Sequence, residues 1–354
     1  MADESKRRVS RLHGIRDLRI EEAPIPKPGP DEVLLKIASV GTCGSDVHYY
    51  LEGAIGDQMV TAPIVMGHEF SAWIAELGEE VTELTPGQLV SVEPAIPCGV
   101  CESCQHGHPN LCSDVRFCGT PPIDGVFAEY AVMPAENCFV LPEGLTPDEG
   151  ALLEPLGVAI HTVDLAHLKA GQTVAVLGAG PIGLLTAMMA RVAGAAEVYM
   201  TEPLGYRRVF ALETCADAVF DPHASDVVEA ILDTTGGRGV DVAFEAAGAA
   251  ETPDQAARIA CPGGKVVVVG IPSDDSMLMT ASQVRRKGLT IKLVRRMKHT
   301  YPRAIRMIHH GMLDISALAT HHFPLERIED AFELVAGYRD GVLRAMIQVN
   351  MEAP

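Results

Sequence analysis

The sequence predicts an α/β chain in two parts, a mainly β region followed by a doubly wound parallel sheet. Three observations predict it. The first 150 residues are short β-type runs punctuated by proline and glycine. From near Leu153, apolar strand patterns alternate with helical ones, which is the rhythm of βαβ units. Finally, Gly178-Ala-Gly180-Pro181-Ile182-Gly183 directly follows a strand pattern and opens a helical one. A length of 354 residues suits two domains of ordinary size.

In the first region, Val33–Val40 and Leu89–Val92 read as strands, with Pro26, Pro28, Pro30, Pro86, Pro97 and Pro121-Pro122 among the turns. In the second, Thr173–Leu177 reads as a strand, Gly183–Ala193 as a helix and Glu197–Thr201 as the next strand, with a helix to about Thr214. Asp241–Glu245 and Lys265–Val269 are further strands. The pattern becomes mixed after Ile291, and Val342–Val349 reads as a closing strand.

The composition, 47% hydrophobic and 21% charged, supplies two sizeable cores. A net charge of -19 argues against nucleic acid and anionic membrane as partners. Met1–Ser10 is polar and lacks the apolar run of a secretory signal, so a cytoplasmic location is expected. Thr173–Ala190 carries no charge, but its glycine cluster breaks it in the middle, which fits a buried strand and helix start better than a membrane span. Nine cysteines, an odd number, with no such signal, point to metal binding rather than a disulfide framework.

The glycine motif has the arrangement that receives a dinucleotide. Gly178 allows the tight turn, Gly180 lets the backbone approach a pyrophosphate, and Gly183 permits close helix–strand packing. The helix N-terminus then offers N–H groups to the phosphates. Glu202 ends the next strand, 19 residues after Gly183, where an acid binds the ribose hydroxyls and repels the 2′-phosphate of NADP; NAD is therefore the expected cofactor. Arg207 and Arg208 can stack on adenine or pair with a phosphate.

Two sets of residues suit a metal. Cys98-x2-Cys101-x2-Cys104-x7-Cys112 supplies four thiolates in one loop, a closed tetrahedral zinc site of the structural kind. Cys43, His68, Glu69 and Glu154 are dispersed, and spacing alone does not join them. Thiolate, imidazole and carboxylate together suit zinc with an open position. Glu154 stands in an apolar run, where a buried carboxylate needs a partner.

On these residues the chain resembles the zinc-containing medium-chain dehydrogenases/reductases of the polyol branch, similar to sorbitol and xylitol dehydrogenases. The matching pieces, between Pro24 and Gln348, are GTCGSDVH at 41–48, GHE at 67–69, the four-cysteine loop, FCGTPP at 117–122, LLEPLGV at 152–158, GAGPIG at 178–183, TYPRAI at 300–305 and HHFPLE at 321–326. The resemblance implies a GroES-like catalytic domain, residues 1–155 and 292–354, and a Rossmann NAD-binding domain, residues 156–291. It implies a catalytic zinc on Cys43, His68 and Glu69, with water as fourth ligand and Glu154 holding that water or binding the metal itself. The zinc would bind a substrate hydroxyl as a Lewis acid, hydride would pass to NAD, and a ketose would result. Ser45 and His48 match proton-relay positions, and Asp46 would brace a histidine ligand. Val269 and Ile271 join the cofactor set.

Ser45, Tyr50, Phe117, Thr120, Glu154 and Arg296 match substrate positions of the branch. Arg295 and Met297 depart from it, standing where the family often has aromatics. From Arg285 to Arg306 there are nine Lys or Arg and no acid, which fits a solvated face, cofactor phosphates or an anionic sugar derivative as substrate. The implied partner is a small polyol or related sugar derivative, and the implied assembly a homotetramer or homodimer. A non-enzymatic NAD-binding protein and a zinc-ribbon nucleic-acid module are the competing readings. Retention of the ligands and relay counts against the first, and the acidic charge against the second.

Overall fold

The computed structural model describes residues 5–272 and 276–353. It divides into two compact units, Met1–Glu154 with Tyr301–Pro354, and Pro155–Thr300. The first crossing falls inside the helix Pro147–Ala166. At the second, 292–300 stay with the second unit rather than returning at 292. Met297, 4% exposed, packs with Thr300 against Gly157, where a Cβ would lie 2.4 Å from the Met297 Sδ.

The first unit is built on a seven-stranded sheet. Its path runs Cys138–Val140, Leu89–Val92, Glu69–Leu77, Glu32–Gly41, Arg344–Gln348 and Ala319–Pro324, and Tyr130–Pro134 also pairs with Glu32–Gly41. All pairings are antiparallel except that of the last two strands, so the C-terminal segment completes a sheet begun three hundred residues earlier. Glu32–Gly41 is nearly continuous in apolar side chains because it lies mid-sheet with both faces covered. Val33, Leu35, Ile37, Val40, Phe70, Ile74, Phe127 and Phe332 meet in the core.

The second unit is a six-stranded, wholly parallel sheet, ordered Ala218–Phe220, Glu197–Thr201, Thr173–Leu177, Val240–Glu245, Ala260–Val268 and Thr290–Leu293. In sequence order this is 3-2-1-4-5-6, the Rossmann arrangement, whose switch point lies beside Thr173–Leu177. The strands expected at Thr173–Leu177 and Glu197–Thr201 form as read. Of the strand expected at Lys265–Val269, residues 265–268 belong to a longer strand, Ala260–Val268, and Val269 falls just beyond its end. The strand takes up Pro262-Gly263-Gly264 as an irregularity, with Val240 opposite Ala260 and Val242 opposite Lys265.

Candidate active site

Cys43 stands at the N-cap of the helix Gly44–Glu52, while His68 and Glu69 lead into the strand Glu69–Leu77. The register sets Gly41 opposite Glu69 and so draws these two strand ends together. The bare Gly41 leaves room for the Glu69 carboxylate, since a Cβ there would stand 2.4 Å from Glu69 Oε2 and push that side chain aside. As a result one ligand atom from each of Cys43, His68 and Glu69 falls within 4.8 Å of the others.

The surroundings hold these groups in place. Asp46, fully buried, accepts from the Cys43 amide at 3.2 Å and the Gly67 amide at 3.1 Å, and its Oδ1 lies 3.5 Å from His68 Nδ1. With Nδ1 so engaged, Nε2 is the nitrogen left for a metal. Burial disfavours a charged His68 ring, but Asp46 and Cys43 outweigh it and hold the pKa well above the usual histidine value. Arg344, 3% exposed, comes from the C-terminal strand. Its Nη1 donates to the Thr42 carbonyl at 2.6 Å, and its Nη2 lies 3.1 Å from Glu69 Oε1. That ion pair lacks hydrogen-bond alignment, and neither buried oxygen of Glu69 has a hydrogen-bond donor. Two orphaned carboxylate oxygens beside a thiol and an imidazole are the donor set a zinc ion satisfies, so the residues fit the metal.

Glu154 lies outside the 4.8 Å set but within electrostatic reach of His68, Glu69 and Arg344. Burial pushes its carboxyl up to about 8. Phe117 stacks at a tilt on His68, with ring centroids 5.2 Å apart. Its loop is seated by the Gly125 and Val126 amides, which donate to the carbonyls of Val65 and Met66. Thr120 of the same loop hydrogen-bonds Tyr49. Ser45 and His48 share one face of their helix, where His48 Nδ1 lies 3.4 Å from Glu52 Oε1.

Tyr50 does not join this group. It is fully buried against Phe332, and its hydroxyl donates to Glu333 at 2.8 Å. The tyrosine that faces the cluster is Tyr49, which feels Asp46 and His68. Arg296 belongs to the second unit, half-buried, with its backbone in the left-handed region (φ 51).

The four loop cysteines also converge, their sulfurs within 4.8 Å of one another. The Cys98 sulfur accepts from the Cys101 amide at 3.3 Å, and amides at Val100 and Cys101 bring its thiol down to about 7; burial sends Cys104 up to about 12. Low- and high-pKa thiols packed together are a metal-ready set.

In the second unit Gly178 takes φ +98, and a Cβ there would stand 3.0 Å from Ala247. A Cβ on Gly183 would lie 2.0 Å from the Gly178 carbonyl. Both contacts require glycine. Glu202 accepts from the Ala179 amide at 2.8 Å and the Leu204 amide at 3.0 Å, which fixes its carboxylate beside the turn. Arg207 lies alongside Gly180, where a Cβ would be 3.6 Å from its Nη1, while Arg208 is tied to the carbonyls of Glu202 and Pro203 and to Asp221. Lys287, from the basic run, caps the end of the helix Thr252–Ile259 through the carbonyls of Ala257, Arg258 and Ala260, leaving Arg285 and Arg286 exposed. Among the described residues, no helix is long and apolar enough to cross a membrane.

A three-ligand cluster, a four-cysteine loop and a glycine turn on a parallel sheet define a zinc-binding dehydrogenase. Comparison with known proteins agrees. Residues 29–143 match the alcohol dehydrogenase GroES-like domain, and residues 181–310 match the zinc-binding dehydrogenase family. The sorbitol dehydrogenase of Bacillus subtilis is 36% identical over 339 residues, 96% of both chains. That of Bos taurus is 41% identical over 325 residues, 91% of both. A Sinorhizobium meliloti structure solved with bound NADP superposes with a TM-score of 0.90 at 35% identity, covering 97% of this chain and 99% of its own. The chain belongs to the zinc-dependent medium-chain dehydrogenases/reductases, in their polyol dehydrogenase branch, and is an alcohol dehydrogenase.

Proposed function

We propose that this enzyme oxidises a secondary hydroxyl of a polyol of the sorbitol or xylitol type to the ketose, with NAD as acceptor. The observation that carries the reading is the convergence of Cys43, His68 and Glu69 within 4.8 Å in a chain of this branch. These three would hold the catalytic zinc, with Glu154 beside them, and Cys98, Cys101, Cys104 and Cys112 a second, structural one. When bound, the catalytic ion supplies Lewis acidity that makes the substrate hydroxyl more acidic.

The remaining work falls to the chain. Ser45 takes the hydroxyl proton and passes it to His48, whose part-exposed ring releases it to solvent. When bound, the nicotinamide would supply the acceptor for the hydride of the carbinol carbon. Phe117, Thr120 and Tyr49 flank the bound alcohol. Gly178, Gly180, Pro181, Ile182 and Gly183 receive the pyrophosphate, Arg207 flanks it, and Val269 and Ile271 complete the nucleotide edge. Glu202 takes the ribose; each of its oxygens keeps a second lone pair after accepting a backbone amide. The exposed strand Thr290–Leu293 at the sheet edge supports a homo-oligomer, a dimer or tetramer.

The test measures bound zinc and follows reduced cofactor with sorbitol, xylitol, sugar acids and sugar phosphates, each with NAD and NADP. The expected result is two zinc ions per chain, NAD preferred, and a neutral polyol as the best substrate. A sugar acid or phosphate as the best substrate overturns the neutral polyol and favours an anion held by the basic run. A chain that binds zinc but turns over none of these overturns the activity.

A further inference from the structure

Glu245 has no place in the reaction above, yet it is a carboxylate only 1% exposed, at the end of the strand Val240–Glu245. Burying such a group is costly unless it is fully hydrogen-bonded, and here the partners are unusual in where they lie. Its Oε1 accepts from the Ala247 amide and the Gly248 amide, each at 2.8 Å. Thr252 Oγ1 is also 2.8 Å from that oxygen and 2.8 Å from the Ala249 carbonyl, so its single proton serves one of the two at a time. The Glu245 carbonyl accepts from the amides of Val269 and Gly270, at 2.8 and 3.0 Å.

Each of these partners lies at the carboxyl edge of the parallel sheet. Ala247 is the residue against which the Gly178 turn packs, and the Ala246 amide donates to Leu177 at 2.9 Å. Gly248 takes φ +68, and a Cβ there would lie 2.4 Å from the Ile271 carbonyl; a Cβ on Gly270 would lie 2.6 Å from Glu245 Oε2. One carboxylate therefore fixes the loop 246–252 and, through it, the spacing between the glycine turn and the chain leaving the strand Ala260–Val268. No other side chain among the described residues is hydrogen-bonded to both amides, Ala247 and Gly248.

The geometry points to Glu245 as a positioning residue for the nicotinamide nucleotide: it touches no reacting atom but sets the shape of the edge that binds the nucleotide. The inference rests on the reading of that edge as the cofactor site. Loss of the carboxylate lets the loop relax, and the effect falls on cofactor affinity rather than on zinc or on the chemical step. Charge-assisted bonds are about twice as strong as neutral ones, so Glu245→Gln, which keeps an acceptor oxygen, restores part of the function lost in Glu245→Ala.

The experiment titrates NADH by fluorescence into the zinc-loaded wild-type, Glu245→Ala, Glu245→Gln and Thr252→Val proteins. In parallel it measures zinc content and kcat against KM for NAD with the alcohol the wild type oxidises. Expected are a rise of roughly tenfold or more in the NADH dissociation constant and in KM for NAD in Glu245→Ala, about threefold in the Gln and Val variants, and kcat at saturating NAD within about threefold throughout. Unchanged NADH affinity in the folded variants overturns the inference, as does a fall in kcat or zinc without a change in affinity. If Glu245→Ala does not fold, the Gln and Val variants decide. A wild-type chain that binds no NADH overturns the cofactor site itself, which distinguishes that failure from this one.

Discussion

Glu154 shows how far an apolar setting moves a single group. Burial raises its carboxyl to about 8, far above an ordinary carboxylate, with Glu69 and Glu93 adding and His68 opposing. In the metal-free protein the folded state thus keeps a proton that the unfolded chain has already lost. Stability from this group is full below the ordinary carboxylate range and is lost as pH rises through about 8. Chelated protein should therefore melt at progressively lower temperature from pH 5 to pH 8, and Glu154→Gln should flatten that slope; equal slopes would refute it. The sequence exposes Glu154 because a carboxylate in an apolar run has few explanations. Tyr49 and Tyr50 carry no comparable signal. Neighbours on a helix point about 100° apart, so a resemblance displaced by one position selects the core residue in place of the one at the site. Arg344 was legible only as a charge in an apolar closing strand, and what it would meet, Glu69, depends on pairing across the whole chain.

Elements were more legible than their partners. Leu89–Val92, Thr173–Leu177 and Glu197–Thr201 coincide with the strands read from alternation and apolar runs, because local pattern decides them. The bulged Ala260–Val268 strand was less so, since Pro262-Gly263-Gly264 carries the chemistry of a turn and only its neighbours keep it extended. The four-cysteine loop is the most self-contained element. It holds two short helical turns, Glu102–Gln105 and Pro109–Leu111, too little regular structure to persist by themselves. Cys104→Ser should remove one zinc per chain and make residues 98–112 the first site of limited proteolysis. The melting temperature should fall by on the order of 5–10 °C, at ~2–4 °C per kcal/mol for a domain of this size. Undiminished zinc content would show that the loop is closed without the metal.

At the scale of the whole molecule, the parallel sheet ends in Thr290–Leu293, whose four residues are all exposed and include Ile291 and Leu293. An open edge of this kind is protected in solution by pairing or by charge, and Lys292 alone supplies little charge. Ile291→Asp with Leu293→Asp should shift the particle mass measured by light scattering to that of a smaller species. A wild-type chain already monomeric at micromolar concentration would overturn the assembly. The division into a mainly β unit and a parallel unit was readable from rhythm alone, whereas the return of the chain to its first unit rested on resemblance, because strand pairing across three hundred residues leaves no local trace.

The strand Arg344–Gln348 gives that return a consequence in time. As the chain emerges from the ribosome, Cys43, His68 and Glu69 are made well before the cation beside Glu69 and the strand flanking Gly41, which follow about three hundred residues later. Until then the nascent N-terminal region carries a carboxylate that it cannot bury cheaply. Closure of the cluster formed by Cys43, His68 and Glu69 is thereby coupled to synthesis of a strand that follows about three hundred residues further along the chain.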